Sequence, residues 1–381
     1  MKDNILFFSG GAYVFGKEKA MLRIMAGLQA QDWQIHCVIN GFNDGKWIEL
    51  LEEARIHYTP VKLGKFTKSL KLLHIKWTLH ALIHLPFALY KIKHLIKRKS
   101  PKWLFFDSHI TAAIVLILLS PKGIPIIRHG ELPGKSDFFF KILKKHLNQH
   151  QIYHIGNTQF VCSELERLGL PAEQIHCIHN GFFIPNQIKT DSTNASLQNL
   201  AIIIGCIGQI GPWKGQEDLI EALAIIKNQG ILFLCKLAGK GDQTYLDHLN
   251  KRIQELGLTN QVEIIGYIDQ PQSFYTSIDV NVVPSRFEEP FGNVAAEAGM
   301  YAVPCIVTNK GGLPEVIKDG ITGFIVPANS PKDIAAKVTW LAANPLERTK
   351  MGEEAYAWIS ENFTISKMVQ KYEAFFYKTR G

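Results

Sequence analysis

Apolar residues along this chain come in two alternating textures. Short unbroken runs such as Asn4–Phe8, Ile35–Ile39, Trp103–Phe106 and Ile124–Ile127 have the length of strands. Between them, apolar side chains return every three or four positions. In Gly16–Gln31 the residues Ala20, Leu22, Ile24, Met25 and Leu28 fall mostly on one side of a helix, and Trp47–Ala54 reads as the next helix. Phe160–Cys162 reads as a further buried strand. Strand-length apolar runs separated by amphipathic helices predict a parallel sheet with helices on both faces.

The pattern stops and then restarts. Asn186–Asn199 (NQIKTDSTNASLQN) is polar and rich in Ser, Thr and Asn, which predicts a surface linker. Beyond it, Ala201–Ile207, Leu232–Ala238, Val262–Ile265, Val280–Val283, Cys305–Val307 and Gly323–Val326 read as strands. Gln216–Asn228 and Thr244–Leu256 read as helices. The expected fold class is α/β: two Rossmann-like, doubly wound domains over 1–185 and 200–363, joined by 186–199. Ligands of such sheets bind beyond the carboxyl ends of the strands, so the two domains are expected to face each other across a cleft. A length of 381 residues suits two domains, and 46% hydrophobic against 20% charged residues supplies two cores and excludes a disordered chain.

Composition adds three constraints. The six cysteines are scattered singly, without a CxxC or Cys/His cluster, so neither a zinc site nor a disulfide framework is expected, and a reducing, cytoplasmic setting is. The opening MKDNILFFSGGA has too short an apolar run for a signal peptide, and no uncharged stretch approaches the ~20 residues of a membrane span. Charge is lopsided: residues 1–185 carry 24 bases against 13 acids, whereas the remainder is net acidic. From Ala54 to Phe106 there are twelve bases and no acid, a block that seeks an anionic partner.

The most informative segment for chemistry is Pro284–Glu297, PSRFEEPFGNVAAE. Glu289 follows an apolar strand, Phe291-Gly292-Asn293-Val294 opens a helix, and Glu297 lies about one turn further in. A helix opening offers unpaired N–H groups to anions, and Gly292 lets a ligand approach the backbone. Two carboxylates at this spacing suit two pairs of hydroxyls; taken alone, they are better explained as acids at a helix N-terminus.

The stretch PSRFEEPFGNVAAEAGMYAVPCIVTNKGGLPEVIKDGITGFIVP is similar to the donor-site signature of the retaining family 4 glycosyltransferases of GT-B fold. The resemblance implies that Glu289 contacts the transferred sugar, that Glu297 holds the ribose hydroxyls, and that the backbone of Phe291, Gly292, Asn293 and Val294 contacts sugar and phosphate. In IGQIGPWKGQEDLIEAL, Lys214 matches the lysine that neutralises the leaving diphosphate. Gln209 stands where many members have Arg, and Arg286 is a candidate substitute. LAGKGDQ and IIGYIDQ, the latter with Tyr267, match loops beside the nucleotide. In the first half, Gly16 of SGGAYVFGKEKAML matches a glycine near the diphosphate. His129 and Gly130 of IIRHGELPG match a cleft-facing histidine and its neighbour, and His109 matches an acceptor-side position. Asn180-Gly181 reads as a structural turn, and a C-terminal helix within 364–381 is expected to pack back on the first domain.

The implied activity is transfer of a sugar from a nucleotide-sugar donor to a sugar or lipid-linked acceptor in polysaccharide or glycolipid assembly. No metal or other cofactor is implied, and no Asp-x-Asp motif stands out. Two alternatives stay open: a nucleotide-sugar epimerase of the same fold, and an inactive membrane-associated scaffold. Lys65–Lys102, with ten bases among Leu, Ile, Phe and Trp, reads as one or two helices bent near Pro86. It suggests peripheral binding to an anionic membrane surface. No nucleic-acid motif accompanies the bases, so nucleic acid is not an expected partner.

Overall fold

The computed structural model describes residues 2–9, 14, 16–43, 45–63, 72–134, 137–147, 151–185 and 201–380, with side chains for all of these except 72–80, 146 and 147. The expected linker 186–199 and most of the first glycine-rich turn lie outside the described residues. The chain divides into two compact units, Met1–Gly181 with Ile365–Gly381, and Phe182–Thr364.

The first unit begins β1 (Asn4–Ser9), α1 (Gly16–Gln29), β2 (Gln34–Asn40), α2 (Lys46–Glu53), β3 (His57–Val61), α3 (Leu72–Lys99), β4 (Trp103–Phe106) and α4 (His109–Leu119). It continues with β5 (Ile124–His129), α5 (Phe138–Leu147), β6 (Tyr153–Gly156), α6 (Gln159–Arg167) and β7 (Ile175–Cys177). The seven strands form one parallel sheet in the order β3-β2-β1-β4-β5-β6-β7. Its continuous apolar strands serve two faces at once. Ile5, Phe7, Trp103 and Phe105 enter the core on one side; Leu6, Phe8, Leu104 and Phe106 enter the core on the other. Register pairs Phe7 with Phe105 and Phe8 with Phe106, and each pair brings its rings together, at 4.7 and 4.5 Å.

The second unit contains β8 (Ile202–Ile207), α7 (Gln216–Asn228), β9 (Phe233–Ala238), α8 (Gln243–Glu255), β10 (Val262–Gly266), α9 (Gln272–Tyr275) and β11 (Val280–Val283). After these come α10 (Asn293–Met300), β12 (Cys305–Thr308), α11 (Leu313–Val316), β13 (Gly323–Val326), α12 (Pro331–Ala343) and α13 (Pro345–Asn362). Its parallel sheet runs β10-β9-β8-β11-β12-β13. In both units the strand order reverses beside the first strand, between β1 and β4 and between β8 and β11. The crevice beyond the strand ends at such a reversal is where open α/β sheets take their ligands.

One expected strand is a helix. Phe160–Cys162 lies within α6, and the neighbouring strand is β6. Thr158 decides this locally, because its hydroxyl accepts the Val161 N–H at 3.2 Å and so caps the helix. Among the described residues of Lys65–Lys102 there is one helix, α3, with Pro86 inside it. The six cysteines are free thiols. No helix among the described residues is long and apolar enough to cross a membrane.

The last helix, α14 (Ile365–Thr379), belongs to the first unit. Met368, Val369, Tyr372, Phe375 and Phe376 recur at helical spacing and join the core beside Trp33, Trp103 and Phe105. Its approach to α1 uses a glycine: a Cβ built on Gly27 would lie 2.5 Å from Val369 Cγ2. Because Phe376 is fully buried among these rings, Phe376→Ala is expected to destabilise the first unit by ~3–5 kcal/mol in urea denaturation. A loss below ~1 kcal/mol would mean that α14 is not an integral part of this core.

Candidate functional site

In the second unit, the loops after β8, β9 and β10 are laced together through backbone. The Gly208 N–H donates to Ala238 O at 2.9 Å, the Ile210 N–H to Lys240 O at 2.8 Å, and the Gly239 N–H to Gly266 O at 2.7 Å. Gly239, at φ 151°, admits no side chain, since a Cβ there would lie 1.7 Å from Gly208 O. Gln209 sits on this lacework with its side chain exposed, and its carbonyl accepts from Gln216 Nε2 at 2.9 Å. Tyr267, just past β10, is also exposed, and Lys240 Nζ lies 4.6 Å from its ring centroid.

The chain then makes a 3-10 turn, Pro212–Lys214, and a left-handed Gly215 before α7 starts. This turn abuts the loop that follows β11. Lys214 Nζ is ion-paired to Glu289 Oε1, and Ser285 Oγ donates to the same oxygen at 2.6 Å. The Ser285 carbonyl in turn accepts from Thr308 Oγ1 at 2.8 Å. The sequence expectation that Lys214 and Glu289 serve one site therefore has a direct geometric counterpart: they touch.

Arg286 provides the clamp. Its N–H donates to Trp213 O at 2.9 Å, and its guanidinium takes Asp218 in a two-point grip at 2.7 and 2.8 Å. It also reaches Glu217 at 3.2 Å, and hydrogen bonds from His248 and Arg286 hold that carboxyl below the usual range. Arg286 is thus committed to the first turn of α7, which removes it as a stand-in for the arginine replaced by Gln209. Its role was missed in the sequence because Asp218 is sixty-eight positions away.

A second clamp comes from Gly311-Gly312. The Gly312 N–H donates to Glu289 O at 2.7 Å, and a Cβ on Gly311 would lie 2.1 Å from that same oxygen. Gly311 has φ 61°, so both conformation and space require glycine there. Glu288 accepts from the Gly311 N–H, completing the contact. At α10, the helix cap is Gly292, which has no side chain to fold back over the first turn. That opening is suited to an anion. Asn293 and Val294 form the first turn; Phe291 is turned into the core against Phe182 and Phe363, leaving only its backbone for a ligand. Glu297, on α10, accepts from the buried Tyr275 hydroxyl at 3.2 Å.

The first unit gathers charged groups at its own strand ends. Ser9 Oγ donates to the buried Asp107 at 3.1 Å, and Lys17 Nζ lies 3.9 Å from Asp107 and 3.7 Å from Glu18. Asp107 above all keeps the Lys17 ammonium pKa above its ordinary value. Gly16 is the exposed first residue of α1. Gly130 is adjacent: a Cβ there would meet Lys17 Cγ and Arg128 Nη1, each at 3.4 Å. His109 opens α4, with Nε2 3.4 Å from Asp137 Oδ2.

His129 needs a correction. Its side chain is only 2% exposed, and its Nε2 lies 2.9 Å from His154 Nδ1. Burial, then the neighbouring His154, keeps its pKa well below the ordinary value, and burial pushes His154 down to about 3. The ring is a neutral core group, not a side chain presented to a ligand. Arg128 beside it is also buried and donates to Asn180 Oδ1 at 2.5 Å, so Asn180 anchors a guanidinium as well as forming a turn.

Residues 188–358 match the family model of group 1 glycosyl transferases. The lipopolysaccharide core biosynthesis glycosyltransferase LpsE of Rhizobium meliloti is 24% identical over 74% of this chain and 77% of its own length. The D-inositol 3-phosphate glycosyltransferase of Mycolicibacterium vanbaalenii is 30% identical over 57% of this chain and 52% of its own length. The capsular polysaccharide biosynthesis glycosyltransferase CapM of Staphylococcus aureus is 29% identical over 49% of each. For the latter two, the matched region spans about half the relative. Among solved structures, Anabaena HepE, crystallised with UDP and glucose, has a TM-score of 0.80 at 20% identity, covering 99% of this chain and 100% of its own. Sucrose-phosphate synthase of Thermosynechococcus elongatus gives 0.78 at 17% identity, covering 99% of both chains. The fold of this chain is GT-B.

If Arg286 fixes the Lys214 turn to the Glu289 loop, a double-mutant cycle of Arg286→Ala with Asp218→Ala should give a coupling of ~1–3 kcal/mol in chemical denaturation. Coupling under ~0.3 kcal/mol would show the pair to be incidental.

Proposed function

We propose that this chain is a retaining glycosyltransferase that moves a sugar from a nucleoside-diphosphate donor to an acceptor hydroxyl during polysaccharide or glycolipid assembly. The observation that carries this reading is the contact of Lys214 with Glu289 beside the glycine-capped start of α10, inside the segment that matches group 1 glycosyl transferases. A movable cation, a fixed carboxylate and a helix opening are what a leaving diphosphate and a developing positive charge require. The names of LpsE and CapM support an assembly role, and HepE, known with UDP and with UDP-glucose, supports a nucleotide-sugar donor.

In this scheme the donor's diphosphate draws Lys214 and the N–H groups of residues 291–294. Gln209, on the laced loops, adds an uncharged donor, and Tyr267 with the edge of β10 takes the base. Glu297 holds the ribose hydroxyls. As the bond between the anomeric carbon and the phosphate oxygen breaks, Glu289 steadies the positive charge on the sugar. The acceptor oxygen forms its new bond on the same face, and its proton passes to the departing phosphate oxygen. No separate base and no metal ion enter the scheme. The first unit is assigned the acceptor, through Gly130 and His109, with Gly16 offering backbone N–H to the diphosphate. His129 has no side-chain role here, given its burial.

Transfer assays with UDP-, GDP- and ADP-sugars test this. Lys214→Ala should lower turnover by ~10²–10³-fold, the scale seen when one charge-stabilising group is lost. Glu289→Ala should abolish transfer while the protein melts as wild type. Near-normal transfer by either variant would overturn the assignment, and donor epimerisation without acceptor would replace it with the isomerase reading.

A further inference from the structure

Helix α3 has an outward face that neither the core nor the proposed reaction uses. Ala81, Ala88, Ile92 and Leu95 are buried and seat the helix on the first unit's core. On the opposite side Ile83, Phe87 and Tyr90, at spacings of four and three, are 74%, 61% and 69% exposed. Leu82 and Pro86 lie next to this ridge and are exposed too. Further along the same face come Lys91, Lys93, His94, Lys97 and Arg98, all exposed. Lys91 Nζ sits 5.1 Å from the Phe87 ring centroid, at the join between the apolar and basic halves.

Monomeric proteins rarely leave such a run of large side chains in water without a use for it. The surrounding charge narrows that use. No acid occurs between Ala54 and Phe106, so a basic protein partner would meet no carboxylate on this helix, and an acidic one would leave the aliphatic ridge poorly matched. A nucleic-acid backbone would engage the bases and gain little from Ile83 and Leu82. A bilayer carrying anionic headgroups satisfies both halves together: the ridge enters the acyl boundary while the lysines meet phosphate. Neither signal alone gives firm attachment, and both are present on one helix.

We infer that the face of α3 formed by Ile83, Phe87 and Tyr90 with Lys91, Lys93, Lys97 and Arg98 docks this protein on a membrane surface rich in anionic phospholipid. This surface is separate from the residues assigned to sugar transfer, so its test stands apart from that of the reaction.

The full chain is floated with vesicles of phosphatidylcholine alone, or of phosphatidylcholine mixed with phosphatidylglycerol. Wild type should float with the mixed vesicles and stay behind with the neutral ones, and 0.5 M salt should release it. Each base near a charged surface changes partition by about fivefold at low salt, so K91Q/K93Q/K97Q/R98Q should lose at least tenfold of the binding. I83S/F87S/Y90S should lose at least tenfold at unchanged charge. These residues are exposed, and matching circular dichroism melts will show that both variants are folded. Equal recovery on the two vesicle types, wild-type flotation by the serine variant, or binding to single-stranded RNA with none to vesicles would each overturn the inference.

Discussion

The two-point grip of Arg286 on Asp218 is the interaction on which the candidate site of the second unit depends. Lys214 and Glu289 leave the sheet on different strands, β8 and β11, the first in a short 3-10 turn and the second in an irregular loop. Arg286 ties them: its backbone bonds the Trp213 carbonyl while its side chain bonds the helix that Lys214 precedes. Gly215 permits the approach, because a Cβ there would lie 2.0 Å from Pro284 O. With Gly311 and Gly312 closing the other side of the Glu289 loop, the main chain of Glu289 is fixed by backbone contacts and its carboxylate by Lys214 and Ser285. Such preorganisation spares reorganisation during a reaction.

The Lys214–Glu289 pair has a further consequence. In the free protein each charge is the partner of the other, with Ser285 completing the carboxylate's bonding. A polyanionic ligand at this point would compete with Glu289 for the lysine, whereas Ser285, braced by Thr308, would still hold the carboxylate. The carboxylate thus has a second support in Ser285, and the lysine is the partner left to exchange. A lysine is suited to that role, because its flexible stem carries a point charge that can change partners.

Legibility from sequence followed the range of the interactions. Strands β11 and β13 were readable to the residue because each is a short, mostly apolar run bounded by polar or turn residues, Asn281 being the one polar member. Strand β3, HYTPV, escaped because it lies at the sheet edge, where polar residues and Pro60 are tolerated. Phe160–Cys162 was misread because three apolar residues fit either structure, and the deciding signal was the Thr158 cap. At the site, Glu289, Glu297 and Lys214 stood out as a pattern, while their supports did not. Arg286, Ser285 and Thr308 act across the fold, and His129 was read as ligand-facing because its partner His154 is on another strand. The candidate site residues are marked by type and spacing; the residues that hold them in place are marked by contacts that only the folded chain makes.

The most direct measurement is amide hydrogen exchange on the intact protein, with and without a saturating nucleoside diphosphate. Slowed exchange over residues 208–211, 213–215, 239–241 and 291–294, the loops that converge beside Lys214 and Glu289, is the predicted result. Unchanged exchange in those loops, with protection appearing elsewhere in the chain, would contradict the placement of the donor on the second unit.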